Sequence, residues 1–326
     1  MQLISICIPS LNRSSFLFKA LESIYNQEPH DLSFEVCISN NNSVEDYSSV
    51  ESYIEKLKIK YENIKYIKQN EKLSLDRHMH YVTSMAEGDY IYYLGDDDFF
   101  YPNAFYEINF LIKKEKVDLV IFNGSLIDAN DNIIGKSYNM PARYINSLDK
   151  AFMALRFKST FGAILVRRTL ISDYYYKLLY GSSHAYCCFW LTMLNNKNWN
   201  YTIIVPDFNC VYLRMAEKNY NKIDVYYKDI FYFINVFSSN VQSEKAAKLI
   251  SSFRHDYVKS IYSISIMSNM FRNGAKYKDI KICSSSNAKI LIVIRKVLAR
   301  ILAIKLLYEP TRSVYLYLKY RCKNIE

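Results

Sequence analysis

The 326 residues carry 42 Lys and Arg against 32 Asp and Glu, a formal net charge of +10, and leave room for two domains of roughly 100–200 residues each. Half of the residues are apolar and 16% aromatic, which excludes intrinsic disorder. With 7 Gly in all, neither G-x-G-x-x-G nor G-x-x-x-x-G-K-S/T occurs, so both glycine-built phosphate cradles are excluded.

Leu3–Ile8 is an apolar run ended by Pro9 and predicts a buried strand. Leu17, Ala20, Leu21 and Ile24 follow at helical spacing. Phe34–Ser39 predicts a second buried strand, and Val50, Tyr53, Ile54 and Leu57 a second helix. Ile64–Ile67 is a third strand, followed by a helix with Met79, Val82, Met85 and Ala86 on one face. Asp89–Leu94 predicts a fourth strand that runs into three aspartates. Pro102 marks a helix start, with Phe105, Ile108, Leu111 and Ile112 as the apolar face, and Val117–Phe122 reads as a fifth strand. Strands alternating with helices of about 10–15 residues imply right-handed crossovers and an α/β, doubly wound, mostly parallel sheet. Beyond residue 130 the pattern is less regular, with strands expected at Ala163–Val166 and Ile203–Val205. From Tyr226 the chain reads as mostly helical, with a polar link at Gly274–Ala288.

The seven cysteines are odd in number and contain no C-x-x-C, so neither a disulfide framework nor a zinc ribbon is indicated and a reducing cytoplasm is expected. No basic segment precedes the first apolar run, and no run of about 18 uncharged apolar residues occurs, so neither a signal peptide nor a membrane span is expected. Positive charge is concentrated at the end: Lys289–Glu326 holds nine Lys and Arg against two acids. No nucleic-acid motif accompanies it, and nucleic acid is not an expected partner.

Gly95-Asp96-Asp97-Asp98 directly follows a buried strand. Ligands of open α/β sheets bind at the carboxyl ends of strands. Three adjacent carboxylates repel one another, and a bound cation relieves that cost; carboxylate oxygens suit Mg²⁺ or Mn²⁺, which bridge protein carboxylates to a diphosphate. In extended chain Asp96 and Asp98 point to the same side. A solvated acidic turn is the plain alternative.

Ser5–Arg13, Glu35–Asp46 and Ala86–Asp98, in that order, resemble the nucleotide-binding half of inverting GT-A glycosyltransferases of family 2. The nearest branch is the abequosyltransferase-like enzymes of bacterial O-antigen and capsule synthesis. The resemblance implies a nucleotide-sugar donor, a divalent metal (Mn²⁺ or Mg²⁺) and a glycan acceptor. It implies a GT-A domain over 1–215, with 1–125 binding the donor and 126–215 forming the acceptor side; it does not extend beyond 215, and the sequence pattern itself predicts a helical region over 216–326. Pro9, Leu11, Asn12 and Arg13 match the family's loop beside the nucleotide, and Ser39, Asn40, Asn41 and Ser43 its loop around base and ribose. The family has Asp where this chain has Asn40, whose carbonyl can still accept from a base N–H. Between Asn70 and His78 the family's Gly and second Asn are replaced by Lys72 and His78; Lys72 or Arg77 can pair with diphosphate oxygens or be solvated cations. Asp98 matches the metal-binding Asp of the family's D-x-D, Asp96 the Asp near ribose and metal, and Asp97 is auxiliary.

An inverting transfer needs a base, and the family places an acid where this chain has Tyr180–Ala185. His184 is the titratable residue of suitable type there, with Asp173 as rival; a satisfied, partly buried histidine is the bland alternative. The other readings are a catalytically silent, membrane-associated sugar-binding subunit of an assembly complex, and a sugar-nucleotide pyrophosphorylase, which would want the glycines that Ser10–Phe16 lacks.

Ile290, Ile294, Val297, Ile301 and Ile304 share one side of a predicted helix ended by Pro310, and Lys289, Lys296 and Arg300 another. A basic amphipathic segment through 289–323 predicts a protein resting on anionic lipid at the inner face of the cell membrane, near a lipid-linked acceptor. Packing of the same apolar side on the protein's core is the competing expectation.

Overall fold

The computed structural model describes residues 2–114, 116–138, 140–155, 161–215, 224, 228–272, 276 and 286–303. Residues 304–326, and most of the expected polar link at 274–288, lie outside the described residues. The chain divides into two compact units, Met1–Asn219 with Asn240–Ala246, and Tyr220–Ser239 with Ala247–Glu326.

The first unit opens with β1 (Leu3–Ser10), α1 (Ser14–Tyr25), β2 (Ser33–Asn40), α2 (Ser48–Lys60), β3 (Ile64–Lys68), α3 (Leu75–Ser84) and β4 (Tyr90–Tyr93). It continues with β5 (Phe99–Phe100), α4 (Ala104–Lys114), β6 (Leu119–Ile121), β7 (Asn123–Ile127), β8 (Ile133–Lys136), β9 (Arg143–Ile145) and α5 (Leu148–Leu155). β10 (Ile164–Arg167), α6 (Asp173–Leu178), α7 (Cys188–Leu194), β11 (Ile203–Val205) and β12 (Asn209–Arg214) complete it.

Among the described residues eight strands form one sheet in the order β3-β2-β1-β4-β10-β6-β11-β9. β3, β2, β1 and β4 run parallel; β10 enters antiparallel between β4 and β6, β11 is parallel to β6, and β9 is antiparallel at the edge. The doubly wound, mostly parallel sheet expected of a GT-A fold is therefore present. Ile6, Ile8, Val36, Ile38 and Tyr92 of the sheet pack with Leu17, Leu21 and Ile24 of α1, Val50 and Ile54 of α2, and Phe105 and Ile108 of α4. Burying each such side chain contributes about 1.5–3 kcal/mol.

β1 runs through Pro9 rather than ending before it, and pairs Pro9 with Ser39 of β2. β4 leaves β1 at the Cys7–Tyr93 pair, so on that side no partner asks for the N–H that proline lacks.

A second sheet, ordered β5-β12-β7-β8, joins β5 and β7 from before residue 130 to β8 and β12 from the less regular part beyond it. β5, β7, β8, β9 and β12 are two to six residues long, and Asn123-Gly124-Ser125 or the exposed Ile133 and Ile134 carry no strand signal of their own. These strands exist through their pairing. β12 packs so closely on β7 that a Cβ on Gly124 would overlap the Val211 carbonyl oxygen.

α8 (Ile230–Asn240) and α9 (Glu244–Ile261), whose residues 240 and 244–246 are counted with the first unit, are followed by α10 (Ile264–Arg272) and α11 (Ser286–Leu302), and the second unit has a core of Phe231, Ile261, Tyr262, Met267, Met270, Phe271, Ile292 and Ala299. The predicted apolar stripe of α11 is not the side that packs. Ile294 and Val297 are 50% and 44% exposed, whereas Ile292, Lys296 and Ala299, at spacings of four and three, are buried. The segment is apolar nearly all round, so two stripes compete, and the small Ala299 allows the closer approach. Arg300 lays its guanidinium 5.4 Å from the Phe271 ring centre.

Candidate active site

The carboxyl ends of β1, β2 and β4 lie side by side, and each opens into a loop that holds the others. After β1, the Leu11 N–H donates to Asp96 Oδ2 at 3.1 Å, and the Asn12 N–H to Ser43 Oγ at 2.9 Å. Asn12 Oδ1 accepts from the Val44 N–H at 2.9 Å. Asn12 and Asn42 each stand at φ of 54°, a left-handed conformation that asparagine tolerates better than most residues. The Tyr47 hydroxyl, which sequence reasoning did not single out, bonds Ser10 Oγ at 2.7 Å and accepts from the Arg13 N–H at 3.1 Å.

Asp96 and Asp98 are buried, and Asp97 is half-buried. The Arg13 guanidinium lies 3.1 Å from Asp96 and 2.9 Å from Asp97. Burial, with repulsion from Asp97, nevertheless pushes the Asp96 carboxyl up to about 6, Arg13 and the Leu11 amide opposing the rise. Asp98 Oδ1 accepts from the Arg214 N–H at 2.9 Å. A Cβ on Gly95 or Gly162 would stand 2.5 or 2.6 Å from Asp98 Oδ2, and Gly162 sits at φ of 88°, so glycine is required there twice over. The buried Arg214 side chain donates to the carbonyls of Asp97 and Asp128 and pairs with Asp131, which also meets Lys19. Its guanidinium stacks 4.6 Å from the Phe16 ring centre.

The β2 loop reads differently from its sequence. Asn40 is fully buried; its Nδ2 donates to the Tyr66 hydroxyl at 3.1 Å and its Oδ1 accepts from the Ser43 N–H at 2.9 Å. The amide expected to meet a base makes one bond through each of its ends to its own protein surroundings. Asn41 likewise ties down Leu73 through both amide ends, at 3.0 and 2.7 Å. Ser39 is buried under His78, whose Nε2 lies 2.9 Å from the Ser39 carbonyl oxygen. Burial lowers the His78 ring to about 4, so it is a neutral donor. Lys72 and Arg77 are exposed at the start of α3, with the Arg77 guanidinium 5.8 Å from the Tyr180 ring centre.

His184 belongs to a tight turn in which Gly181 and Ser183 both adopt left-handed φ, 92° and 59°. Its Nδ1 is 2.7 Å from the Ser182 carbonyl oxygen. A carbonyl can only accept, so Nδ1 carries the proton and a neutral ring keeps its lone pair on Nε2. His184 stacks near Tyr186, which meets Tyr93 edge-on at 5.7 Å, directly before the acidic loop. Asp173 is exposed at the head of α6, bonded to Lys177 at 2.6 Å and His80 at 2.9 Å, which together hold its carboxyl below the usual range.

The structure thus brings Leu11, Asn12, Arg13, Ser43, Asp96, Asp97 and Asp98 together, and leaves Asn40 and Ser39 beneath the surface. Arg214 and Gly162 escaped sequence reasoning because nothing near them in the chain marks them. Among the described residues no three His, Cys, Asp or Glu side chains are placed to hold a metal by themselves.

The glycosyl transferase family 2 profile matches residues 5–179. Abequosyltransferase RfbV of Salmonella typhimurium is 39% identical over 97 residues, 29% of this chain and 28% of that protein. The GalNAc(5)-diNAcBac-PP-undecaprenol beta-1,3-glucosyltransferase of Campylobacter jejuni is 25% identical over 199 residues, 60% of this chain and 61% of that protein. The chain therefore matches less than two thirds of either relative's length. S. aureus TarS 1–349, solved in complex with UDP-GlcNAc, superposes with a TM-score of 0.62 at 14% identity, covering 96% of this chain and 92% of that one.

Proposed function

Because the chain belongs to glycosyl transferase family 2, we propose that it moves a sugar from a nucleotide-sugar donor to a glycan acceptor in bacterial surface polysaccharide (O-antigen or capsule) synthesis. The observation that carries this reading is the Gly95–Asp98 loop at the carboxyl end of β4, cross-bonded to the loops after β1 and carrying Arg13 against its acids. The two curated relatives agree in kind, and the name of one contains an undecaprenol-linked glycan.

A divalent cation, Mn²⁺ or Mg²⁺, fits the loop: the donors are hard carboxylate oxygens, chiefly of Asp98 with Asp96 beside it, and the raised proton affinity of Asp96 marks a place that gains from positive charge. A cation held by Asp98 and Asp96 would supply positive charge that offsets the charge of the leaving nucleoside diphosphate. Arg13, now paired with Asp96 and Asp97, would turn part of that pairing to diphosphate oxygens, and the exposed Lys72 and Arg77 are further cations for the same oxygens. The transfer is a single inverting displacement. The acceptor oxygen bonds to the anomeric carbon as the carbon–phosphate oxygen bond breaks, its electron pair leaving with the nucleoside diphosphate. The hydroxyl proton passes to His184 Nε2. Asp173 is set aside because Lys177 and His80 already engage it.

We place the acceptor on a lipid carrier and the protein against the inner membrane face. The support is the exposed row Val293, Ile294, Val297 and Leu298 on α11, with exposed Arg300 on the same helix. Among the described residues no helix is long and apolar enough to cross a membrane.

The test is a panel of UDP-, CDP-, GDP- and dTDP-sugars, read as Mn²⁺-dependent protection against thermal unfolding and as slow hydrolysis of the donor. One nucleotide class should protect and be hydrolysed, and Asp98→Ala should abolish both. Protection with no turnover, even with lipid-linked acceptors, would make this a sugar-binding subunit instead.

A further inference from the structure

Asp76 is the second residue of α3 and only 3% exposed. An acid in a helix's first turn ordinarily answers that helix's own free amides. The hydrogen bonds of Asp76 leave the helix. Oδ2 accepts from the Gly181 N–H at 2.7 Å and the Ser183 N–H at 3.0 Å, and Oδ1 from the Ala185 N–H at 3.0 Å. All three amides belong to the turn that carries His184. Two left-handed residues make that turn costly in isolation, and a buried carboxylate accepting three amides is what holds it. Burial outweighs those amides and raises the Asp76 carboxyl above its ordinary range, so the bonds offset a real desolvation cost.

The neighbours of Asp76 on α3 grip the same segment. His80 stacks on Tyr176 with ring centres 4.3 Å apart and reaches the Tyr180 hydroxyl at 2.5 Å. Arg77 covers the Tyr180 ring. One face of α3 therefore joins the donor loop that precedes it to the acceptor-side segment 173–185.

We propose that Asp76 is the positioning residue of His184. By fixing the amides of Gly181, Ser183 and Ala185, it places the Ser182 carbonyl where it selects the Nδ1-protonated ring, so that Nε2 is the basic nitrogen. This rests on the reading of His184 as the base, and the test separates the two.

Asp76→Asn keeps the shape but puts donor hydrogens where one oxygen accepts. ¹⁵N spectra of the imidazoles, with the His184 signals identified by their loss in His184→Ala, report the tautomer without any substrate. The parent should show Nδ1 protonated, and the Asp76→Asn ring should shift toward Nε2-protonated. Binding of UDP, CDP, GDP or dTDP with Mn²⁺ should change less than about twofold, while the kcat for hydrolysing the panel-selected donor falls roughly 10–100-fold, below the 10²–10⁴ typical of removing a base. In a His184→Ala background, Asp76→Asn should cost nothing more.

A parental ring signature in Asp76→Asn, or a further loss in the His184→Ala background, overturns the proposal. Full hydrolysis by His184→Ala alone sinks the base reading instead, and the ring signature then decides the positioning by itself. If Asp76→Asn does not fold, Gly181→Ala bends the same turn through its φ of 92° with open space for the Cβ. It should show the same spectral shift and kcat loss, and an unchanged ring there would also overturn the proposal.

Discussion

The Asp96 carboxylate is 6% exposed, and burial together with Asp97 lifts it to about 6 although Arg13 stands 3.1 Å away. Unfolded, an aspartate titrates near ~3.9. Between those values the folded chain binds the proton more tightly, so stability contributed by the protonated group is present at low pH and lost as pH rises from about 4 to about 6, on the order of 2–3 kcal/mol. His78 has the opposite sign: held neutral with a pKa of about 4, it contributes stability above its ordinary value of about 6.5 that is lost as pH falls. The windows overlap, so parent and variant must be compared directly. Asp96→Asn should melt above the parent at pH 7.5, with the gap closing near pH 4 in thermal scans. A gap independent of pH would remove buried charge as the cause. Mn²⁺ should stabilise the parent more than this variant.

At the scale of elements, the alternation from β1 to α4 is written in contiguous apolar patterns, whereas α11 carries two overlapping ones. The predicted stripe contains Ile294, and the packed stripe contains Ile292 beside Phe231, Tyr262, Met267 and Phe271. Ile292→Ala should therefore cost roughly 2–5 kcal/mol, and Ile294→Ala within about 0.5 kcal/mol, by denaturant unfolding followed at 222 nm. The reverse order would restore the predicted stripe. The same packing means that cutting the chain near Ser286 removes core contacts as well as charge, so truncation is a poor probe of any tail function.

Across the whole molecule the net charge of +10 is not spread evenly, since nine basic residues against two acids fall in Lys289–Glu326. Each Lys or Arg near an anionic bilayer adds about 1 kcal/mol of attraction that salt screens. Val293, Ile294, Val297 and Leu298 supply exposed apolar area on α11. The full chain should float with phosphatidylglycerol vesicles at low salt and release at high salt, and Ile294→Glu with Val297→Glu should weaken that binding without lowering the melting temperature. Failure of the parent to bind at low salt would give the exposed row another purpose.

The sequence by itself determined what lies within about ten residues of a signal: the buried strands, the helices between them, and an acidic loop at a strand's carboxyl end. Periodicity and composition are local, and so is the chemistry of Gly95–Asp98. Tertiary structure alone decided the rest. Asn40 matches a ligand-contact position in the sequence, and only the fold shows it buried with one bond to Tyr66 and one from Ser43. Asp98 is steadied by an amide 116 positions away, and the His184 turn by a carboxylate 105 to 109 positions away. Such bonds leave no trace in a single chain's pattern, because a hydrogen bond depends on where two groups arrive after folding and on which competing partner has already been satisfied there.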